Sequence, residues 1–292
     1  VNYNLFTATA TLSTQTVTLP VGTFTFGFLS GAGSIVSAVS TAVATGLGTI
    51  TVGQTQTISV TTPGTILFTV TGTVNSAQLN VGSTLLAYRA RVDATTVKIL
   101  NLGTLGSAED GTYTNGVAGS MLAIDTSWPV LNYTQSATQF ISTTYTRPTQ
   151  ITALIWSKKT VNVANSLIGT LTGSGFVVKV TNAGRIAIDK SFQANIYTSA
   201  VGEVLTLNQW NHVAVTFDQT ASPFPYKVFL NGIKIADATT TQVCAFGNLI
   251  FAQNNASEYA SEKQNLITIK SSILSDTQIQ NIYNSQKSQY GY

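Results

Sequence analysis

The chain has 292 residues, 43% of them hydrophobic and only 9% charged, with a net charge of +3. That apolar content offsets ordering entropy, which excludes a disordered chain, and so small a charge with no basic stripe argues against nucleic acid as a partner. A single cysteine, Cys244, and a single histidine, His212, allow no intrachain disulfide and no Cys/His zinc site. The chain starts at Val1 with no basic segment ahead of an apolar one, so the expectation is a processed chain or a fragment with no signal peptide.

From Asn2 to Tyr88 there is no Asp, Glu, Lys or Arg, and the first charge is Arg89. This composition shift places a domain boundary near residue 88. Within the uncharged part, Thr23–Phe28 (TFTFGF) and Phe68–Val74 (FTVTGTV) alternate polar with aromatic or β-branched residues, the period of half-buried strands. Leu19–Gly22 (LPVG) and Thr62–Gly64 (TPG) read as turns. The uncharged run Leu29–Ile50 is long enough to span a bilayer. However, Ser, Thr and Gly interrupt it every few positions, and neither an aromatic belt nor flanking Lys/Arg marks its ends. It reads as strands and loops, with no membrane insertion.

The stretches TVTLPVGTFTFGFLSGAGS and VGQTQTISVTTPGTILFTVTGTVNSAQLNVGS resemble a short jelly-roll module of bacteriophage virion proteins, a fold similar to carbohydrate-binding modules. The resemblance covers roughly residues 4–90. Where that module carries a glutamate after Gln-Leu, this chain has Asn80.

The charged part follows a linker over residues 89–106. Thr138–Ser142, Ile151–Ser157, Gly175–Val180, Gly184–Ile188, Asn211–Phe217 and Tyr226–Leu230 read as strands. Asn231-Gly232 is a hairpin turn, because both residue types tolerate positive φ. Near the end, Ser275 with Gln278 three positions on has the form of a capping box. Behind it, Ile279, Ile282 and Tyr283 supply the apolar face of a short helix.

This order, with the signatures FISTTYTRPTQITALIWSKK, GFVVKVTNAGRIAI, LNQWNHVAVTFD, YKVFLNGIKI and ITIKSSILSDTQIQNIYN, resembles a laminin-G-like, concanavalin A-like lectin domain. The expected fold is therefore all-β. Residues 1–88 form a jelly roll and residues 107–292 a laminin-G-like sandwich with a short C-terminal helix. The resemblance makes Trp210 bulk for the sheet and His212 a packed or hydrogen-bonded strand residue, with Asn231 and Gly232 structural as well.

Glucan-cleaving enzymes of that superfamily carry a Glu-x-Asp-x-Glu strand whose two carboxylates flank the scissile bond. This chain has no such motif, and Cys244 lies in an apolar strand context that suits an inert thiol. Thr172–Gly175 lacks the lysine and the βαβ setting of a phosphate loop. The expectation is no enzyme and no required cofactor. The resemblance also implies a possible Ca²⁺ held by loop carboxylates, for which Glu109 and Asp110 are the candidates, with Asp125 and Asp218 behind them. Against this, the acidic late strand of the family reads Asn265-Leu266-Ile267-Thr268 here.

Glycan binding needs aromatic faces beside amides. The candidates are Tyr259 with Asn254 and Asn255 in the polar stretch Phe251–Lys263, then Tyr133 and Trp128, with Tyr145 and Tyr197 also considered. The reading is a bacteriophage virion surface protein, a fibre or a capsid decoration, that adheres weakly to host or environmental glycans. Its partners would be itself, as a homotrimer, and other capsid or tail proteins. The alternative is a secreted bacterial adhesin or a non-catalytic binding module of a larger extracellular protein.

Overall fold

The computed structural model describes residues 2–6, 10–11, 14–19, 22–81, 84–88, 98–99, 111–115, 122–125, 128–191, 194–253 and 258–292. They fall into two compact units, one built on the chain up to Ala87 and one on Glu109–Tyr292, which also takes in Lys98–Ile99.

The first unit contains β1 (Asn2–Phe6), β2 (Ala10–Thr11), β3 (Thr14–Leu19), β4 (Gly22–Val39), β5 (Val43–Thr45), β6 (Thr49–Thr51), β7 (Thr55–Thr62) and β8 (Gly64–Val81). The sequence marks only Thr23–Phe28 of β4 and Phe68–Val74 of β8, yet each strand runs for 18 residues. They pair with each other from Phe24↔Val81 to Val39↔Ile66. The N-terminal part of β4 also pairs with β7, and its C-terminal part with β6. In turn β8 takes β1 near one end and β3 near the other.

One core joins both parts of this sheet: Phe24, Phe26, Phe28 and Ile58 from one, Ile35, Ile50, Ile66, Phe68 and Val70 from the other. The sheet therefore folds over on itself. Phe26 and Phe68 meet at 4.7 Å between ring centroids, and each fully buried ring contributes ~1.5–3 kcal/mol. Gly33 and Gly72 lie directly opposite each other near the middle of the long pair, at φ +101° and +106°. A Cβ on Gly33 would sit 2.0 Å from the Thr71 carbonyl oxygen, and one on Gly72 would sit 2.4 Å from that of Ala32. Only glycine fits there. The run Leu29–Ile50 is strand and turn, and no helix among the described residues is long and apolar enough to cross a membrane.

A further strand, β9 (Thr84–Tyr88), precedes the second unit's β10 (Lys98–Ile99), β11 (Gly111–Thr114), β12 (Leu122–Asp125), β13 (Trp128–Tyr133), β14 (Phe140–Thr146) and β15 (Gln150–Lys159). Then come β16 (Asn165–Thr170), β17 (Phe176–Val180), β18 (Ile186–Lys190), β19 (Ala194–Thr198) and β20 (Asn211–Asp218). The last are β21 (Phe224–Leu230), β22 (Ile233–Thr240), β23 (Asn248–Phe251), β24 (Glu262–Lys270) and a helix, α1 (Asp276–Gln286). One antiparallel sheet has the order β10-β11-β14-β23-β16-β17-β18-β19, and the other runs β12-β13-β24-β15-β20-β21-β22. Phe176 on β17 and Phe217 on β20 stack at 5.1 Å, so the two sheets face each other as a sandwich.

Both faces of β15 and β20 are buried. Their inner face meets the opposing sheet. Their outer face, carrying Leu154, Trp156, His212 and Ala214, lies under α1 and the 3₁₀ turn Lys287–Tyr290. This explains why ITALIWS and NHVAVTF read as almost unbroken apolar runs. The capping box forms as the sequence indicates: Ser275 Oγ accepts from the Gln278 N–H, and Gln278 Oε1 accepts from the Ser275 N–H. Asn231 and Gly232 make a two-residue hairpin at φ +51° and +78°. Gly232 is doubly constrained, since a Cβ there would meet the Tyr283 ring at 2.5 Å.

Candidate functional site

His212 lies wholly inside, with its ring 5.2 Å from that of Trp156 and 5.8 Å from that of Tyr283. Neither ring nitrogen finds a hydrogen-bond partner among the described residues. Burial pushes its pKa down to about 3, so the ring is neutral at ordinary pH. Of the two structural roles open to it in the sequence, packing is the one present. It also packs on the outside of the sheet, beneath the C-terminal segment.

That segment builds the aromatic layer over the sheet. The Trp156 indole stacks on Tyr290 at 4.0 Å and on Tyr283 at 5.8 Å, and its Nε1–H donates to Gln286 Oε1 at 2.7 Å. Past the 3₁₀ turn, Gly291 at φ +87° reverses the chain, so that the Tyr292 hydroxyl donates to the Trp210 carbonyl. Asn208 adopts a left-handed conformation in the turn before β20, pinned by its N–H to the Lys159 carbonyl at 2.8 Å.

Between these two turns opens a groove of about 340 Å³, lined by Lys158, Asn208, Gln209, Trp210, Tyr290, Gly291 and Tyr292. Its size falls at the low end of small-molecule sites. Tyr292 is 47% exposed and forms an aromatic wall, while Trp210 is 3% exposed and forms the floor. The Trp210 Nε1–H is buried without an acceptor among the described residues. The amides of Asn208 and Gln209 are exposed at the rim. An aromatic wall beside amide donors can hold a polyhydroxylated ring, with apolar C–H faces on the tyrosine and hydroxyls on the amides. No carboxylate or imidazole side chain is among the lining residues.

Among the described residues, the glycan and calcium candidates named from the sequence are not part of the groove lining. Glu109, Asp110, Asn254 and Asn255 lie outside the described residues. Trp128 starts β13, paired with Asp125. Tyr133 is 2% exposed and offers no face to a ligand. Tyr259 is half-buried, bridged to Gln253, with its ring 6.3 Å from Phe140. Tyr197 packs on Tyr226 at 6.0 Å.

Asp125 accepts from Lys263 at 2.7 Å and Lys158 at 3.0 Å. Burial alone would raise its pKa, but the two lysines together outweigh that and hold it below the usual carboxylate value. Asp218 is engaged by Gln150 and by the Thr220 N–H and hydroxyl. No three His, Cys, Asp or Glu side chains converge as a metal site among the described residues. Cys244 is buried, and burial pushes its thiol up to about 11, which suits an inert residue.

Two features gave no sequence signal. Arg147 is 1% exposed and holds the carbonyls of Pro148 and Cys244, with its guanidinium 4.6 Å from the Phe246 ring centre. Glu262 is fully buried on β24. It accepts from Ser157 Oγ at 2.7 Å and Gln264 Nε2 at 2.6 Å, and burial raises its pKa to about 7.

Residues 132–264 match the family model described as the concanavalin A-like lectin/glucanases superfamily. No curated protein matches the chain significantly by sequence. Among solved structures, the chain is similar to the binding domain of Paraclostridial Mosquitocidal Protein 1, with a TM-score of 0.53 at 12% identity over 70% of this chain and 52% of that one. It is similar to the receptor binding domain of botulinum neurotoxin type G, at 0.51 and 13% over 70% and 52%. It also resembles botulinum neurotoxin type C, which depends on interaction with two ganglioside molecules to enter cells, at 0.51 and 13% over 70% and 51%. The chain spans about half the length of these structures, and at such identity the likeness is one of fold.

Proposed function

We propose, from the premise of a concanavalin A-like domain over residues 132–264, that this chain is a non-catalytic adhesive protein of a bacteriophage virion surface, whose second unit holds glycans. The observation that carries the glycan reading is the groove between Tyr292 and the Asn208–Trp210 turn. It is aromatic on one side, amide-rimmed on the other, and set on a lectin-like sandwich. The toxin domains of similar fold are themselves named as binding domains, which supports the same class of role here.

The virion reading draws on the first unit. Its charge-free composition suits burial in an assembly, because interface cores are depleted in charge. Residues 4–90 also resemble a phage virion module. A homotrimer on a symmetric particle would multiply weak sites into avid attachment.

A glycan array probed with wild type, Tyr292→Ala and Tyr259→Ala tests the glycan reading. Wild type should bind a defined glycan set, Tyr292→Ala should lose about tenfold in affinity, and Tyr259→Ala should retain it. No signal for the wild type would overturn the glycan role. Equal loss with both variants would remove the groove as its site. Immunolabelling of virions tests the location, and particles without label would exclude the virion role.

A further inference from the structure

We propose that the groove selects glycan residues bearing a carboxylate, with the sugar ring on Tyr292 and the anionic group on Lys158. This rests on the glycan reading of the same groove and names its ligand class. Lys158 supplies the one charged side chain among the lining residues. Its ammonium is held in place by Asp125, 3.0 Å away, and that single carboxylate is shared with Lys263 at 2.7 Å. Lys158, Lys263 and Asp125 together carry two positive charges and one negative.

The rim adds amide groups able to donate to the same anion. Asn208 and Gln209 are exposed, and each side-chain amide carries N–H donors. A carboxylate can accept from the Lys158 ammonium and from these amides, and charge-assisted hydrogen bonds are the stronger kind. Lys158 is two residues past Trp156 on β15, so its side chain emerges on the same outer face as the aromatic layer. A ring stacked on Tyr292 thereby shares its groove with the Lys158 side chain.

The test is a binding titration with an oligosaccharide ending in a uronic acid and with its carboxyl-reduced, neutral counterpart. Wild type should bind the acidic form about tenfold more tightly at low salt, and the preference should shrink at 0.5 M salt as the charges are screened. Lys158→Gln should abolish the preference, read as the ratio of the two affinities measured on the same variant. Lys158→Arg, which keeps the charge beside Asp125, should restore it. The exposed Lys234→Gln should change nothing. Equal binding of the two sugars by the wild type, or a preference that survives Lys158→Gln, would overturn this inference and leave the glycan reading standing. If neither these sugars nor the glycan array binds, the glycan reading itself fails.

Discussion

Replacing Glu262 by Gln tests how the sandwich interior pays for its charge. In the folded chain the carboxyl is fully buried, and burial lifts its pKa from 4.5 to about 7 despite help from Ser157, Gln264 and the nearby Lys159 charge. The folded state thus keeps a proton that the unfolded chain releases near 4.5. Stability from this group is fully present below 4.5 and is lost as pH rises through 7. At ~1.4 kcal/mol per pH unit, the loss is about 3 kcal/mol.

His212 acts with the opposite sign. Burial lowers its pKa from 6.5 to about 3, so the unfolded chain takes up a proton that the folded chain refuses. Its contribution is present above 6.5 and is lost as pH falls toward 3. Between 4.5 and 6.5 the two slopes cancel, so these groups leave wild-type stability flat there and falling only as Glu262 ionises near 7.

Glu262→Gln removes one slope and exposes the other. The variant should gain on the wild type by about 3 kcal/mol between pH 4.5 and 8, whatever fixed offset the substitution adds. Groups common to both proteins drop out of that difference. The assay is urea unfolding at four pH values, followed by tryptophan fluorescence. Trp128, Trp156 and Trp210 all follow residue 109, so the signal reports the second unit. A difference that stays constant with pH, or shrinks, would refute the assigned burial of an ionisable Glu262.

Gly232→Ala should destabilise the second unit by at least ~1–2 kcal/mol, because alanine resists a left-handed φ and its Cβ would strike the Tyr283 ring. The midpoint of the same urea curve measures this, and an unchanged midpoint would contradict the packing of α1 on the β21–β22 turn. Gly33→Ala should unfold the first unit while sparing the tryptophan signal, since its Cβ would fall 2.0 Å from the Thr71 carbonyl oxygen. Limited proteolysis reads this out, and a protease-resistant first unit would argue against the Gly33–Gly72 pairing.

Local chemistry made much of the fold legible. Alternation marked strand at Thr23–Phe28 and Phe68–Val74, Asn231-Gly232 announced its hairpin, and Ser275 with Gln278 announced the helix start. Each is a signal confined to neighbours in sequence. The middle of β4 lost its signal because the pairing with β8 shifts register between Phe28 and Gly31, so the period of two breaks there. Gly33 and Gly72 carry meaning only as a cross-strand pair, which no local pattern displays.

The groove is harder still to read from sequence. Lys158, the Asn208–Trp210 turn and Tyr290–Tyr292 come from three segments that meet only because α1 lays the chain end over the outer face of the sheet. Glu262 and His212 look like ordinary polar strand residues, and their pKa values follow from burial. Sequence fixes which residues are apolar, where turns form and what each side chain can donate. Burial, proximity and the shape of a site depend on contacts between distant segments, and folding alone creates those.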